Sequence, residues 1–275
     1  ENMYTETKLS FLPEDATVDV MYIDDELQGE KETIKASKVL DLFRTNPNQH
    51  VKIETWNNMP TAAGLSSSSS GLSALVKAAN ELFQVGKTQS ELAQIAKFAS
   101  GSSSRSFFGP LAAWDKDSGD VYQVETDLKL AMIMLVLTDQ KKPVSSRDGM
   151  KLCTETSTSF PEWIKQSEQD YKDMLGYLKA NDFQAVGELT EANALRMHQT
   201  TSTANPPFSY LTDASYQAMD KVKALRASGE QCYFTMDAGP NVKVLCLEED
   251  LDRLADHFRK DYEVIVSRTK ELPDA

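Results

Sequence analysis

At 275 residues, with 40% hydrophobic and 26% charged residues, the sequence has the size and composition of one large or two ordinary globular domains. Its formal net charge of −13 argues against a nucleic-acid or acidic-membrane partner, although a few arginines are enough to bind a phosphorylated small molecule. The three cysteines lack metal-ligand spacing, and the three histidines form no H-x-x-x-H pair, so the sequence does not support a zinc site. The few cysteines fit a reducing cytoplasm. We interpret the histidines as surface or packing residues.

The first part of the sequence is predicted to mix strands and helices. Residues 4–12, 18–23 and 51–55 have the composition of strands, and residues 34–43 favour a helix. The serines at 66–70 lead into a second helix, because apolar residues recur after them at helical spacing. This apolar stripe consists of Leu72, Leu75, Val76, Ala79, Leu82 and Phe83.

A third helix and a hairpin follow in the sequence. Thr88 and Glu91 have the spacing of a capping box, and Gly101 marks the end of the helix that they open. Residues 111–114 and 121–124 are predicted strands on either side of the turn DKDSG.

The second half is predicted to form a separate unit. Its apolar run at 130–137 is too short to span a bilayer and is typical of a buried strand. Three long helices follow at 161–180, 182–199 and 213–227, with Asp182 as an N-cap and Gly229 after the last helix. The remaining elements are strands at 232–236, 242–247 and 262–266 and a helix at 249–259.

This order of elements lacks strict β-α-β alternation, so it predicts an α+β protein. We expect two domains, at residues 1–127 and 128–275, with the active site in the cleft between them.

The serine run PTAAGLSSSSSG is the first stretch with a chemical interpretation. At a helix start, backbone N–H groups lack partners, and small side chains let a phosphate approach them. A helix start capped several times without a ligand is the alternative. A flexible linker is disfavoured because the run leads directly into a core helix, and the stretch lacks the G-x-x-x-x-G-K-[ST] pattern of a Walker loop.

Two further stretches pair serines with an arginine. In ASGSSSRSFFG, residues 99–109, Arg105 lies among Ser100, Ser102 and their neighbours, a combination suited to phosphate or carboxylate. In SSRDGM, Ser146 and Arg147 follow the apolar strand in an expected loop. A polar loop with a solvated arginine is the alternative for both.

The stretch FTMDAGPN places Asp237 between an apolar strand and a Gly-Pro turn. A carboxylate there can accept a proton or hold Mg²⁺ if the phosphate-type stretches converge on it. A turn aspartate that bonds to its own backbone is the alternative.

Together these stretches resemble the diphosphomevalonate decarboxylase family of the GHMP kinase superfamily. The serine run indicates the superfamily, and GSSSR with DAGPN narrows the resemblance to the decarboxylases. The similarity extends over essentially the whole chain, including SSRDGM and ALRMHQT with PPFSYLTDASY, and Gram-positive bacterial members are the most similar.

The resemblance implies a reaction and its residues. ATP and mevalonate 5-diphosphate would give isopentenyl diphosphate, ADP, phosphate and CO₂ in isoprenoid biosynthesis. It implies no membrane or nucleic-acid partner, ATP as co-substrate with Mg²⁺, no protein metal site, and a cytoplasmic homodimer. The implied ATP-phosphate residues are Gly64, Leu65, Ser66, Ser67, Ser68, Ser69 and Ser70. The implied substrate residues are Ser100, Ser102, Arg105, Ser146 and Arg147, with Asp237 and Arg105 catalytic and Thr55 and Asn57 near the nucleotide base.

Two other functions fit parts of the pattern. A GHMP small-molecule kinase would stop after phosphoryl transfer, and a nucleotide-binding protein would lack catalysis. Family members begin with a further segment that carries Lys and Tyr contacts to the substrate, so by this resemblance either the sequence given is incomplete or that functional part is missing. A serine hydrolase is disfavoured because G-x-S-x-G does not occur.

Overall fold

The computed structural model describes residues 4–58, 67–99, 101–138 and 144–269. Its first part contains a four-stranded sheet of order β1-β4-β2-β3, in which β2 and β4 are parallel and the other pairs are antiparallel. The strands are β1 (Thr5–Phe11), β2 (Val20–Ile23), β3 (Glu26–Leu27) and β4 (Val51–Asn57). The helices of this part are α1 (Glu30–Leu40), α2 (Ser67–Leu82) and α3 (Gln89–Ala99).

The helices cover one face of this first sheet. Residues at alternating positions of β4, Val51, Ile53 and Thr55, are buried, because successive strand side chains point to opposite faces. Val51 and Ile53 join one apolar cluster with Val76 and Ala79 of α2. The stripe predicted for α2 therefore faces this core.

A buried ion pair ties α1 to β4. The Asp19 carboxylate accepts hydrogen bonds from Ser37 Oγ (2.6 Å), from Arg44 Nη2 (2.7 Å) and from the backbone N–H of Val51 (2.9 Å). Burial acts to raise the pKa of Asp19, but the hydrogen bonds from Arg44, Ser37 and Val51 outweigh it and lower that pKa below its ordinary value.

The capping box predicted for α3 is present. Glu91 Oε2 accepts from the backbone N–H of Thr88 at 2.8 Å, and Thr88 Oγ1 accepts from the N–H of Glu91 at 3.3 Å. Gly101 does not end α3 as a simple loop residue but begins a 3₁₀ helix, Gly101–Phe107. A hairpin of β5 (Ala112–Trp114) and β6 (Val121–Gln123) follows.

The second part contains an antiparallel sheet of order β10-β7-β9-β8. Its strands are β7 (Leu130–Val136), β8 (Cys232–Met236), β9 (Val242–Leu247) and β10 (Glu263–Arg268). Its helices are α4 (Ser146–Thr156), α5 (Phe160–Lys179), α6 (Phe183–Ser202), α7 (Asp213–Ala227) and α8 (Leu251–Phe258). Helix α4 was expected as a loop, so that prediction is wrong.

Both faces of the second sheet are covered, which explains its continuous apolar strands. Ile133 and Leu135 of β7 face one apolar cluster, and Leu130 and Met132 face another that contains residues of α5 and α6. The predicted α+β class is confirmed by the mixture of helices and two sheets.

Candidate active site

Helix α2 begins within the serine run. Ser67 is its first described residue, and its first turn contains no acidic side chain, so the positive end of the helix dipole is not compensated there. The side chains of Ser67 and Ser68 lie outside the described set, as do Gly64, Leu65, Ser66 and Ser100 entirely. The described part of the run thus begins a core helix, as predicted.

The two serine stretches meet at the start of α2. Ser69 and Ser102 share a hydrogen bond between their hydroxyl oxygens. Ser73 Oγ is 2.9 Å from the carbonyl oxygen of Ser69 and 2.9 Å from that of Ser103. The 3₁₀ helix is therefore fixed against the first turns of α2 by hydroxyl groups.

Close packing keeps this 3₁₀ helix in place. Ser103 and Ser104 are fully buried, and Ser104 Oγ donates to the carbonyl of Gly101 at 2.7 Å. A Cβ on Gly101 would lie 2.7 Å from the Trp114 ring, so only glycine fits there without a shift. Arg105 is exposed at the end of this segment. Arg105 therefore adds a cation to the segment whose hydroxyls contact the start of α2.

Ser146 and Arg147 lie at a second helix N-terminus. Ser145 is the N-cap of α4: its hydroxyl donates to Asp148 Oδ2 at 2.6 Å and lies 3.1 Å from the backbone N–H of Asp148. Ser146 and Arg147 are exposed in the first turn. A serine cap three residues before an aspartate was the sequence signal for this helix.

Asp237 directly follows β8, with 48% of its side chain exposed. Its backbone carbonyl accepts from the N–H of Gly239 at 2.7 Å, and its carboxylate pairs with Lys243. The side chain of Lys243 is only 13% exposed, in β9 opposite Thr235.

Lys243 was not among the site residues predicted from the sequence. The signal was available, because it is the one charged residue in the strand VKVLCL. A lysine in such a strand buries its apolar stem, and the ammonium group of Lys243 pairs with the half-exposed Asp237 carboxylate at the end of β8.

His198 was interpreted as a surface or packing residue, and the structure places it inside, 6% exposed. Its ring packs edge-on against Tyr210, with the ring centroids 6.3 Å apart. Burial lowers the pKa of His198, while backbone groups of Asp237 and Met236 act in the opposite direction. Burial prevails, so the imidazole is neutral at pH 7.

Thr55 and Asn57 have cross-strand partners. Thr55 Oγ1 is 3.0 Å from Thr7 Oγ1, and Asn57 Oδ1 accepts from Thr5 Oγ1 at 2.8 Å. These contacts join β1 to β4, so their described role is in the sheet. Contact with a nucleotide base stays a prediction.

Membrane-spanning helices and clusters of metal ligands are both absent from residues 4–58, 67–99, 101–138 and 144–269. None of the helices in these ranges is long and apolar enough to cross a membrane. In the same ranges, no three His, Cys, Asp or Glu side chains are grouped as metal ligands.

Two family models match the sequence. The model described as the diphosphomevalonate decarboxylase-like N-terminal domain matches residues 1–124, and that of the mevalonate 5-diphosphate decarboxylase C-terminal domain matches residues 132–273.

Individual proteins give the same result. A mevalonate pyrophosphate decarboxylase structure from Streptococcus pyogenes is 66% identical with a TM-score of 0.97, and the match covers 100% of this chain and 87% of that one. A structure described as "MDDEF in complex with MVAPP, AMPPCP and Magnesium" is 38% identical with a TM-score of 0.87, covering 100% of this chain and 88% of that one. The diphosphomevalonate decarboxylase of Candida albicans is 32% identical over 216 residues, which are 75% of this chain and 60% of that protein.

The chain spans only 54% to 60% of the length of the first three curated relatives that it matches. The structural matches confirm the predicted GHMP-kinase-like fold with two domains. With a family model on each half and a structural match over its whole length, the chain belongs to the diphosphomevalonate decarboxylase family.

Proposed function

We propose that this chain catalyses the ATP-dependent decarboxylation of mevalonate 5-diphosphate to isopentenyl diphosphate, with release of ADP, phosphate and CO₂. The observation that carries the proposal is the contact between the start of α2 and the 3₁₀ helix through Ser69 and Ser102. It combines a helix N-terminus, several hydroxyls and the exposed Arg105 in one region. That combination suits phosphorylated ligands.

The nucleotide phosphates would bind at the start of α2. Backbone N–H groups and hydroxyls of residues 64–70 would hold them, because the first turn of a helix has free donors and a positive dipole end. The absence of an acidic side chain in the described first turn of α2 supports this assignment.

Mg²⁺ is compatible with this site. Magnesium usually keeps several waters and binds substrate phosphates with few protein ligands, so a phosphate site rich in hydroxyls, such as those of Ser69 and Ser102, fits it without a carboxylate cluster. The similar MDDEF structure, which contains AMPPCP together with magnesium, supports the use of Mg²⁺ with the nucleotide. When bound, the ion would neutralise charge on the transferring phosphate.

The substrate would be held at both of its ends. Ser100, Ser102 and Arg105 would contact it beside the nucleotide, and Ser146 with Arg147 would bind its diphosphate at the start of α4. Arginine suits these positions because its planar fork donates two parallel hydrogen bonds to an anion.

Asp237 would act on the C3 hydroxyl. This tertiary hydroxyl is a poor leaving group, and the carboxylate would orient it or accept its proton while it receives the γ-phosphoryl group of ATP. When phosphate leaves, positive charge develops at C3, and the nearby carboxylate stabilises it. The bond to CO₂ then breaks, and its electron pair forms the alkene. Lys243 would hold the carboxylate in its position.

Three further assignments accompany this function. The domains would comprise residues 1–127 and 128–275 with the active site between them, which the two separate four-stranded sheets support. The protein would be a homodimer, as the family resemblance implies. It would work in the cytoplasm, where its three free, buried cysteines would stay reduced.

Measurement of CO₂ and ADP from the same reaction tests the function. The full natural protein, supplied with ATP, Mg²⁺ and mevalonate 5-diphosphate, should release one CO₂ for each ADP. ADP without CO₂ would identify a GHMP small-molecule kinase instead, and ATP binding without turnover would identify a binding protein.

A further inference from the structure

His198 connects α6 to the segment that carries Asp237. Helix α6 packs against β8, and the buried imidazole faces the backbone of Met236 and Asp237 at the end of that strand. Within the described ranges, neither ring nitrogen reaches a partner at ordinary hydrogen-bond length and angle. The backbone groups of Met236 and Asp237 are the polar groups that act on this ring at the end of β8.

The other side of the His198 ring leads to α4. It packs edge-on against Tyr210, at an interplanar angle of 85°. The Tyr210 hydroxyl donates to the carbonyl of Ser145, the N-cap of α4, at 3.0 Å. A Cβ on Gly149 would lie 2.1 Å from the same hydroxyl oxygen, so Tyr210 is pressed against the first turn of α4.

These contacts form a continuous path. It runs from the Asp237 turn through the rings of His198 and Tyr210 to the helix start that presents Ser146 and Arg147. Both rings are buried, with 6% of His198 and 7% of Tyr210 exposed. Buried side chains packed at interior density transmit a change in one neighbour to the next.

We propose that His198 is a positioning residue: with Tyr210, it sets the distance between the Asp237 carboxylate and the Ser146–Arg147 anion site. This inference rests on the proposed function, in which these two segments hold opposite ends of one substrate. His198 itself touches neither the substrate nor the nucleotide in this scheme.

The consequence concerns alignment more than binding. A substrate fixed by its diphosphate brings its C3 hydroxyl to the carboxylate only if the two segments keep their spacing. A misplacement of about 1 Å costs on the order of 100-fold in rate, because reacting groups must lie in a near-attack geometry. The proposed ATP contacts lie at the start of α2, which packs on the first sheet, so they do not depend on the contacts of His198 and Tyr210.

The test compares three variants of the full natural protein. His198→Leu introduces an apolar side chain of similar size and removes both ring nitrogens and the ring contact to Tyr210. His198→Gln retains a polar group able to bond with the backbone. Thr201→Val is the matched control, because Thr201 is also buried in α6 and its hydroxyl donates to the carbonyl of His198 at 2.7 Å.

We expect kcat of His198→Leu to fall roughly 10- to 100-fold while KM for ATP changes less than about threefold. His198→Gln should recover part of the loss, and Thr201→Val should stay within about threefold of wild type. Hydrogen exchange should accelerate at the amides of residues 145–149 and 237–239 in His198→Leu and in neither segment of the control.

Equal losses of kcat in His198→Leu and Thr201→Val would overturn the inference, because a general weakening of α6 would then explain both. Unchanged exchange in either segment would also overturn it. If the wild-type protein releases ADP without CO₂, the decarboxylase function is refuted but the role proposed for His198 is not. That role would then be tested by kcat for phosphoryl transfer and by hydrogen exchange.

Discussion

The exchange of the Asp237 carboxylate for an amide tests the proposed chemistry most directly. Asp237→Asn keeps the shape of the side chain and the hydrogen bond from the N–H of Gly239 to the backbone carbonyl of residue 237. The lost ion pair with Lys243 is half-exposed on the carboxylate side, and such pairs contribute about 0–1 kcal/mol. The folded state should therefore be almost as stable as wild type.

The effect on the reaction should be much larger. A carboxylate about 4 Å from a full positive charge stabilises it by roughly 4 kcal/mol at an effective dielectric constant of about 20. Loss of that stabilisation corresponds to a fall in turnover of roughly 10³-fold. Lys243, whose side chain is only 13% exposed, keeps its positive charge in the variant and adds unfavourable charge, so the fall should not be smaller.

Steady-state release of CO₂ measures this change, and calorimetry of ATP binding with a thermal unfolding curve provides the controls. ATP affinity and the melting temperature should change little. Asparagine is a good turn residue, so a purely structural Asp237 would leave catalysis almost intact. Turnover of the variant within about threefold of wild type would remove Asp237 from the mechanism.

Three other substitutions test separate parts of the description. Arg105→Lys should lose most turnover at saturating ATP because lysine lacks the bidentate fork; unchanged turnover with an unchanged circular dichroism spectrum would make Arg105 a surface residue. Lys243→Met should lower kcat about tenfold, because the Asp237 carboxylate loses its fixed partner; equal kcat in the two proteins would contradict that role. Asp19→Asn should lower the free energy of unfolding by about 3–5 kcal/mol at pH 7, because Arg44 stays buried without its counter-ion. Because the pKa of Asp19 is lowered in the folded state, the difference in unfolding free energy between wild type and variant should be present above about pH 4 and disappear as the pH falls further. Urea unfolding at several pH values measures this difference, and a difference that is constant with pH would refute the stabilising role of the Asp19 carboxylate.

Local signals explain what the sequence predicted well. The apolar spacing of α2 and the Thr88–Glu91 capping box depend on neighbours within a few residues, and both appear as expected. The run at β7 was recognised because a sheet covered on both faces needs apolar residues at every position.

Long-range contacts explain what the sequence did not reveal. Helix α4 has a polar exposed side and takes its position from Tyr210, which lies far along the chain, so its short pattern was interpreted as a loop. Lys243 and His198 gain their importance from contact with the Asp237 segment, and that contact exists only after β8, β9 and α6 have packed. Similarly, spacing could not show that Ser69 would meet Ser102.

The apolar cluster on the second face of the β7 sheet extends beyond that sheet. Ala113 of the β5–β6 hairpin and Val124 share it with Leu178 and Phe183, and the hydroxyls of Tyr122 and Tyr171 lie 2.7 Å apart across the same boundary. Separation of the two parts would expose this cluster to water. Burial of the same apolar cluster therefore stabilises both the folded second part and its contact with the first part. We expect denaturant to unfold both parts in a single cooperative transition, with tryptophan fluorescence and far-UV circular dichroism giving coincident curves.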